Sequence, residues 1–493
     1  MRVETIREYQ SKLPEHDPHP YRTGAWTPNT REVDAWDLDV ISGEIPKDLT
    51  GVYLRNTENP LFDAITGRYH PFDGDGMLHA IRFEGGRASY RNRFVKTPGL
   101  LAELEAGEAL WAGILEAPAL SKRDGWGART RMKDASSTDV IVHAGLALTT
   151  FYQCGDGHLL DPLTLEPKGV AKLDHPSFAR GATLSAHPKV DEATGELLFF
   201  NYSTEAPYCH VGIADAAGSL SRVMPVALPG PRLPHDMAFT PTFAIVNDFP
   251  LFWDPTRLAQ GQYRPRYHPE LGSRFGLVPR DGKGPVRWFS AAPTYVLHFS
   301  NAYEEGNEVV LEGYHQGAPM QERTADDTPI SMFMKSLDMH AMKTTRHRWR
   351  FDLITGETRE EQLDDEVSEF PTIHNGYAGK KHRYVYAAVG EPGFFLFSGL
   401  CRTDVLTGSK SKYAFPKGVF ASEAPFCPRD GATSEDDGYV VTFVTNLVDD
   451  TSECQIFDAR ALERGPIARV RLPMRISSGT HATWHAPSQP TSA

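Results

Sequence analysis

The sequence lacks the long apolar runs and the basic blocks that would place a chain across a membrane or on nucleic acid. No stretch of its 493 residues approaches the roughly 18 consecutive apolar residues of a membrane span. Asp and Glu (64) outnumber Lys and Arg (51), which gives a formal net charge of −13. An acidic chain without a basic patch is a poor partner for nucleic acid, and we expect no such partner.

Cysteine is scarce, and the usual nucleotide-binding motifs are missing. The five cysteines are scattered and form no CxxC pair, so neither a zinc ribbon nor a disulfide framework is indicated. The N-terminal residues have no apolar core of the kind found in a secretory signal, and the expected compartment is the cytoplasm. Neither a Walker A sequence nor a GxGxxG sequence occurs between a strand pattern and a helix pattern.

Short strand patterns separated by turns rich in Gly and Asp make up most of the chain. One clear hairpin has its turn at Glu84-Gly85-Gly86. A weak repeat, in which a strand ends at an aspartate and a short turn leads to the next strand, recurs at Asp161, Asp352, Asp404 and Asp458. Such repeats predict an all-β propeller. With about 40–50 residues per blade, seven blades fit in a single domain over residues 1–493.

Two segments depart from the strand pattern. Residues 1–35 are polar and contain proline, which predicts an extended N-terminal arm. Residues 99–120 are rich in Ala, Leu and Glu near helical spacing, which predicts a helical insertion. This insertion would either cap the core or form an apolar lip that touches a membrane peripherally. The apolar residues of that lip would be Leu100, Leu101, Leu104, Leu110, Trp111, Ile114 and Leu115.

Four histidines stand beside strand-like runs in four distant parts of the chain: His187, His235, His298 and His481. Around His298, the pattern predicts a strand from Tyr295, a turn over residues 301–306 and a second strand from Val309. Histidines of distant strands converge when the strands surround a common axis, as the inner strands of a propeller do. Four neutral imidazoles suit Fe, Cu, Zn or Ni, so the four histidines are predicted metal ligands.

Two glutamates are candidates for the residues that hold the histidine rings. Glu369 in VSEFPTI and Glu423 in FASEAPFCPR each lie in an apolar context bounded by proline. An unpaired carboxylate would be costly there. Each could accept the second N–H of a ligand histidine and offset the metal charge. The alternative is an ordinary surface glutamate beside a strand, which has the same sequence pattern.

The motifs around these residues, taken in order, resemble the carotenoid cleavage oxygenase family. They are SAHPKVDEATGELLFF, PHDMAFT, YVLHFSNAYEEG, SEFPTI, SEAPFCPR and GTHATW. That family includes enzymes that cleave carotenoids, apocarotenoids, lignostilbene and isoeugenol. The resemblance implies a seven-bladed propeller with a helical and loop dome on the metal side. It also implies a non-haem Fe(II) held by the four histidines, with Glu369 and Glu423 behind them.

One stretch, SSTDVIVHAGLALTTFYQCGDG, departs from the family pattern. Thr138 matches a family threonine, and we assign it to the catalytic set with the two glutamates. The family often has a third glutamate further along, but Gln153 lies about there in this chain. In the family members that cleave stilbenes and isoeugenol, a lysine precedes that glutamate. In this chain Tyr152 stands roughly where that lysine would be. This favours a polyene or apocarotenoid substrate and leaves an aryl alkene as the alternative.

The resemblance implies a dioxygenase that uses O2 to cleave a conjugated C=C bond of a lipophilic alkene into two carbonyl products. An apolar tunnel must hold the alkene. The candidate walls, besides Trp253, are Phe62, Phe151, Tyr152, Phe252, Phe299 and Tyr303. A non-catalytic binding propeller would have no use for four converging histidines. A zinc hydrolase would use His481 and His485 as a helical pair, but Gly479, Thr480 and Trp484 favour a strand.

Overall fold

A computed structural model describes residues 1–127 and 132–486. Strands dominate the first half of the chain: β1 (Arg2–Glu8), β2 (Arg31–Trp36), β3 (Val40–Gly43), β4 (Gly51–Arg55), β5 (Glu58–Asn59), β6 (Asp75–Glu84), β7 (Arg87–Phe94), β8 (Asp139–His143), β9 (Leu146–Thr150), β10 (His158–Leu160), β11 (Pro167–Val170), β12 (Lys189–Asp191), β13 (Glu196–Tyr202), β14 (Tyr208–Ala214), β15 (Leu220–Ala227), β16 (Ala238–Phe239) and β17 (Phe243–Asp248).

The second half continues in the same way: β18 (Leu251–Trp253), β19 (Pro265–Tyr267), β20 (Ser273–Pro279), β21 (Arg287–Ala291), β22 (Val296–Glu305), β23 (Glu308–Gln316), β24 (Thr344–Asp352), β25 (Thr358–Gln362), β26 (Ser368–Thr372), β27 (Tyr384–Gly390), β28 (Phe397–Asp404), β29 (Lys410–Ala414), β30 (Val419–Ala421), β31 (Phe426–Pro428), β32 (Gly438–Asn446), β33 (Thr451–Asp458), β34 (Pro466–Arg471) and β35 (Ala482–His485).

Helices are few and short. The α-helices are α1 (Pro98–Ala106), α2 (Pro255–Leu258), α3 (Pro329–Lys335) and α4 (Met339–Met342). The 3-10 turns are Gly24–Trp26, Pro71–Asp73, Pro118–Leu120, Pro269–Leu271, Asn375–Tyr377 and Leu462–Arg464. No helix of the described ranges is long and apolar enough to cross a membrane. All five cysteines are buried and free.

The strands form the seven blades of a propeller. One blade contains β35, β4, β6 and β7 and is extended by β2 and β1. Four four-stranded sheets follow in chain order: β8–β11, β12–β15, β16-β17-β20-β21 and β22–β25. The last sheet holds two blades, β26–β29 and β31–β34 with β3. Strand β30 connects them, because it pairs with β32 and, through the single pair Phe397 and Ala421, with β28. The hairpin β18–β19 stands apart from the blades.

Strands from both ends of the chain connect the first blade with the last, because each pairs with a blade formed by the opposite end. The C-terminal strand β35 pairs with β4 in the first blade, from Ala482 opposite Arg55 to His485 opposite Val52. The N-terminal strand β3 pairs with β34 in the last blade. The apolar core between these two blades includes Tyr53 and Phe443, whose rings meet edge to face at 4.7 Å.

The repeated aspartates lie in the turns that join the third and fourth strands of four blades. The Asp161 carboxylate accepts the backbone N–H groups of Leu163 and Thr164. Asp352 and Asp404 each accept two N–H groups in the same way, and Asp458 accepts the N–H of Arg460. The repeat read from the sequence is therefore a side-chain-capped turn that recurs around the propeller.

The turn after His298 comes later than the sequence pattern predicts. Strand β22 runs without a break to Glu305, and the chain turns at Gly306, where φ is +61°. The expected turn residues 301–306 are mostly strand because the Asn301 side chain donates to the carbonyls of Tyr377 and Lys380 and accepts from Gly379. A polar run here is satisfied by side-chain contacts instead of forming a loop.

The structure describes both segments that depart from the strand pattern. The N-terminal arm contributes strands β1 and β2 to the first blade. The helix of the 99–120 insertion spans only Pro98–Ala106, since Gly107 adopts φ +72° and ends it. Leu110 and Trp111 are buried, and Trp111 packs against Trp126 at 5.8 Å. These two residues of the predicted apolar lip therefore belong to the core.

Candidate metal centre

Each blade contributes one polar side chain to a ring around the propeller axis. Every member lies within the first three residues of the strand at the inner edge of its blade, or within the three residues before that strand. Six of these strands, β35, β8, β12, β16, β22 and β26, line one axial cavity, as do Glu423 and Pro425 just before β31. In blade order the ring consists of His481, Asp139, His187, His235, His298, Glu369 and Glu423. All seven side chains are buried.

The four histidines of the ring converge on one point. The ring of His187 lies 4.8 Å from that of His235, 4.9 Å from that of His298 and 4.5 Å from that of His481, measured between centroids. The Nε2 atoms of His187 and His235 are 3.2 Å apart. One nitrogen each of His187, His298 and His481 lies within 4.8 Å of the others. Nitrogens that each sit about 2.1 Å from a metal are themselves about 3–4 Å apart, so the cluster is the right size for one ion.

Three of the four histidines are held by the carboxylate of the neighbouring blade. His298 Nδ1 lies 2.5 Å from Glu369 Oε2. His481 Nδ1 lies 3.3 Å from Glu423 Oε2, which also accepts the Ala482 N–H. His187 Nδ1 lies 3.3 Å from Asp139 Oδ2. In each pair the carboxylate fixes the ring and leaves Nε2 directed at the centre of the cluster.

The fourth histidine, His235, is positioned by packing and by its neighbour Asp236. The Tyr152 ring lies 6.1 Å from the His235 ring. The buried Asp236 carboxylate accepts the Phe299 N–H at 2.8 Å and pairs with Lys189 Nζ at 2.8 Å. Lys189 follows His187 by two residues and Phe299 follows His298 by one. Asp236 thus ties together the strands that carry three of the histidines.

The protonation of the histidines fits a metal site. Burial, together with repulsion from the neighbouring histidines, holds the pKa of His187, His235 and His298 well below the ordinary value, so all three are neutral. Burial also lowers the pKa of His481, but Glu423 and other carboxylates outweigh it and raise this pKa to about 8. The Nε2 atom of His298 is buried and has no hydrogen-bond partner. A buried nitrogen lone pair without a donor is what a metal ion would satisfy.

The carboxylates carry the charge that four neutral imidazoles lack. Burial raises the pKa of Glu369 to about 8, against the opposing hydrogen bond from the Phe370 N–H. A divalent cation bound at His298 would favour the ionised carboxylate and bring this pKa down. Neutral nitrogen donors surrounded by three acceptor carboxylates suit a transition-metal dication.

Local backbone strain accompanies the site. His187 adopts φ +62° and Phe370 adopts φ +53°, a region that costs side-chain-bearing residues about 1–3 kcal/mol each. The Phe370 ring stacks on His298 at 5.3 Å and meets His481 edge-on at 4.8 Å. The strained backbone at Phe370 therefore places an aromatic wall against two histidines while Glu369 contacts His298.

A second, larger cavity reaches the centre through His235. It has a volume of about 790 Å³ and lies under a dome built from residues 114–117, the β18–β19 hairpin and the α3–α4 segment. Its wall is largely apolar and aromatic, with Phe72, Tyr295, Leu297, Phe333 and Phe395 among the lining side chains. Of the predicted tunnel residues, Tyr152 and Trp253 line this cavity.

The other predicted tunnel residues lie outside this lining. Phe62 and Phe151 border a separate cavity of about 40 Å³, and Phe299 borders the axial cavity. Phe252 stacks on His268 at 4.8 Å, and Tyr303 packs against His382 at 6.1 Å. Neighbours on an extended strand face opposite sides, so Phe252 points away from the cavity that Leu251 and Trp253 of β18 line.

The remaining predicted residues, Thr138, Gln153 and His485, lie near the four histidines but do not belong to the ring. Thr138 Oγ1 accepts the Tyr152 N–H at 3.2 Å, and the Thr138 carbonyl accepts the Thr480 hydroxyl. Gln153 lines the dome cavity and makes no contact with a ligand histidine among those the structure describes. His485 lies in strand β35, so His481 and His485 do not form a helical pair.

Asp139 is the carboxylate that sequence reasoning missed. It directly follows Thr138, while the expected acceptor position lay a whole hairpin later, near Gln153. The available signal is positional, because Asp139 begins strand β8 and each histidine likewise lies close to the start of a strand. An acidic residue at that place in the second blade completes the ring.

We expect Asp139→Asn to weaken metal binding by about tenfold or more, the lower end of what loss of such a partner costs. The amide can still accept the Val140 N–H that Asp139 accepts at 2.7 Å, so the fold is retained. The control is Asp134→Asn, which alters a buried aspartate at the same 3.3 Å distance from His158, outside the ring. Titration of metal-stripped protein with Co²⁺ measures both affinities. Equal affinity in the two variants would show that Asp139 has no part in holding the metal.

Comparison with known proteins places this centre in a family. Residues 26–486 match the family model described as retinal pigment epithelial membrane protein. The chain is 30% identical to a carotenoid 9,10(9′,10′)-cleavage dioxygenase of Phaseolus vulgaris, over 96% of this chain and 90% of that protein. It is also 30% identical to an isoeugenol monooxygenase of Pseudomonas putida, over 95% and 98%.

Solved structures agree with this placement. The lignostilbene dioxygenase of Pseudomonas brassicacearum superimposes with a TM-score of 0.85 at 26% identity, covering 96% of this chain and 100% of that one. A variant of the Synechocystis apocarotenoid oxygenase superimposes with a TM-score of 0.81 at 26% identity, covering 93% and 97%. With the ring of four histidines on the axis of a seven-bladed propeller, these matches show that the chain belongs to the carotenoid cleavage oxygenase family and is an oxidoreductase of that family.

Proposed function

We propose that the protein is a non-haem Fe(II) dioxygenase that uses O2 to cleave a conjugated C=C bond into two carbonyl products. The observation that carries this proposal is the convergence of four buried histidines, one of which, His235, lines a large cavity with a mostly apolar wall. His187, His235, His298 and His481 would hold the iron. When bound, the iron supplies the means to activate O2 beside the alkene.

The protein side of the reaction is positioning and exclusion of water. Glu369 hydrogen-bonds to Nδ1 of His298, and Asp139 and Glu423 lie 3.3 Å from Nδ1 of His187 and of His481, so the three carboxylates keep three imidazoles oriented. The aromatic lining of the dome cavity presents an apolar surface to the alkene and leaves little to hydrate it. Thr138 fixes the backbone of Tyr152, whose ring lies between the cavity and His235.

We propose an apocarotenoid as the substrate. The dome cavity of about 790 Å³ is within the range of pockets that enclose extended ligands. None of its described lining residues is a lysine. Lys133 is held by Asp75 and Glu103 at 2.9 and 2.6 Å and lines the separate small cavity. Among the described lining residues, a phenolate would meet the guanidinium groups of Arg68 and Arg264 but no lysine ammonium.

An aryl alkene is the second candidate. The structural match to a lignostilbene dioxygenase covers nearly the whole chain. Tyr152 lines the cavity and could hydrogen-bond a phenol or an aldehyde. A neutral tyrosine hydroxyl gives an ordinary hydrogen bond, since its unperturbed pKa is about 10. It cannot drive a phenol towards phenolate as a lysine can.

The test of this function is aerobic incubation of Fe(II)-loaded protein with an apocarotenal, resveratrol and isoeugenol, followed by mass identification of the products. We expect two carbonyl fragments from the apocarotenal. Together they contain the atoms of the substrate plus two oxygens. Recovery of all three alkenes unchanged from iron-loaded protein would refute the proposed activity.

The substrate class makes a prediction of its own. We expect an apocarotenal to be cleaved faster than resveratrol, and 4′-methoxyresveratrol to be cleaved about as fast as resveratrol, because no lysine demands a free 4′-hydroxyl. Initial rates for the three compounds on one preparation measure this. Rapid cleavage of resveratrol, no cleavage of its methyl ether and no cleavage of the apocarotenal would instead assign the enzyme to phenolic substrates.

The cellular location of the protein and its contact with a membrane are predicted from the sequence alone. A cytoplasmic protein with peripheral membrane contact is what the composition and the insertion at 99–120 suggest. Leu101 is about half exposed, while Ile114 and Leu115 face the dome cavity. These residues could still guide a lipophilic substrate inwards.

A further inference from the structure

Two cavities meet at the histidine ring from opposite sides. Residues that precede the histidines, such as Leu233 and Pro234 before His235, line the dome cavity. Residues that follow them line the axial cavity, as Pro188–Val190 do after His187. The axial cavity has a volume of about 230 Å³ and is bordered by His187, His298 and His481. Three of the four ligands therefore face the axial cavity.

We propose that the axial cavity is the route by which the divalent metal ion enters and leaves the centre. The proposal rests on the metal role of the four histidines and adds a path to it. The lining includes four acidic side chains, Asp139, Glu192, Asp236 and Glu423, and one basic side chain, Lys189. A net negative passage concentrates cations and guides them inwards.

The character of the two cavities decides between them. A hydrated cation loses much of its solvation in an apolar space, which is costly without compensating ligands. The dome cavity has a more apolar lining, carries the two arginines Arg68 and Arg264 against the single carboxylate of Glu116, and offers only His235 of the ring. The axial cavity adds Asn301, Thr372 and Thr483 as polar contacts on the way to the histidines. A cation can exchange its water for oxygen ligands in steps along this path.

The axial cavity also has an open end. Glu192 and Asn375 border it and are exposed, whereas His187 at the other end is 3% exposed. At the inner end His298 Nε2 is buried without a partner and faces the cluster. The lining thus leads from an exposed acidic mouth to an unsatisfied metal-ligand atom.

The rate of metal uptake tests the proposal. Metal-stripped protein is mixed with excess Co²⁺ at low ionic strength, and uptake is followed by the visible absorption of bound Co²⁺. Glu192→Lys reverses the charge at the mouth, so we expect uptake to slow at least about threefold, with the effect lost in high salt. Final occupancy is expected to stay that of the parent. The matched control Glu105→Lys makes the same charge change on α1, outside the lining of the axial cavity. We expect this variant to take up Co²⁺ at the parent rate.

A second variant distinguishes metal entry through the axial cavity from metal entry through the dome cavity. Leu115→Trp narrows the dome cavity and is expected to leave the uptake rate unchanged. Parent-rate uptake by Glu192→Lys, together with slow uptake by Leu115→Trp, would show that the metal enters through the dome cavity. Failure of the parent to bind Co²⁺ at all would refute the metal centre itself, which separates that outcome from a wrong route.

Discussion

Replacing His298 by alanine is expected to remove most of the bound metal and with it the activity. His298 is one of four nitrogen donors, and its Nε2 is buried without a hydrogen-bond partner. The variant also leaves Glu369 buried without the imidazole 2.5 Å away. We therefore expect metal affinity to fall by more than the roughly 10–100-fold typical of losing an outer partner. Iron content after reconstitution and desalting measures the loss.

The control for His298→Ala is a buried histidine outside the ring. His143 ends β8 and bonds through Nε2 to the Gly195 carbonyl at 2.9 Å. His143→Ala also removes a buried imidazole and its hydrogen bond, so it reports the cost to folding alone. Thermal melts of both variants show whether each is folded. Full iron occupancy in folded His298→Ala would remove His298 from the ligand set.

The second large effect is expected from the carboxylates behind the ring. Glu369→Gln keeps the shape of the side chain but loses the charge that balances the metal. We expect metal affinity or turnover to fall about 10–100-fold. Glu423→Gln should lose less, because its contact with His481 is 3.3 Å against 2.5 Å for Glu369 and His298. Co²⁺ titration and initial rates on the same preparations give both quantities.

A buried glutamate elsewhere in the fold provides the comparison. Glu32 is 1% exposed and accepts hydrogen bonds from the Tyr9 hydroxyl and the Phe94 N–H, both at 3.0 Å. Glu32→Gln should leave metal affinity at the parent value. If Glu369→Gln and Glu423→Gln bound Co²⁺ as tightly as Glu32→Gln, the two carboxylates would have only a structural role.

The sequence predicts the histidines because each marks a strand boundary. A propeller places the starts of its inner strands around one axis, so a polar residue at such a start is directed at the centre. The same logic applies to Glu369, the second residue of β26, and to Glu423, which precedes β31. Asp139 meets the same condition at the start of β8. It escaped notice because the expected third acceptor lay further along the chain, near Gln153.

Side-chain direction beyond the ring is harder to read from the sequence. In β18, Leu251 and Trp253 line the dome cavity while Phe252 between them faces away. The sequence shows three adjacent apolar residues and gives no sign of which face meets the cavity. The insertion presents a similar limit, since its composition favours a helix throughout while Gly107 ends it after nine residues. Composition predicts the segment, and a single turn residue decides its length.

The dependence of activity on bound iron tests the central claim most directly. Chelator-stripped protein is titrated with Fe(II) without O2, freed of excess iron, and then assayed aerobically with an apocarotenal, while parallel samples receive Zn²⁺. We predict that cleavage rises in proportion to bound iron, stops rising at about one iron per chain, and stays absent with Zn²⁺. Stripped protein that cleaves the substrate at the full rate, or fully iron-loaded protein that cleaves none of the tested alkenes, would contradict the assignment of the histidine ring as the catalytic metal centre.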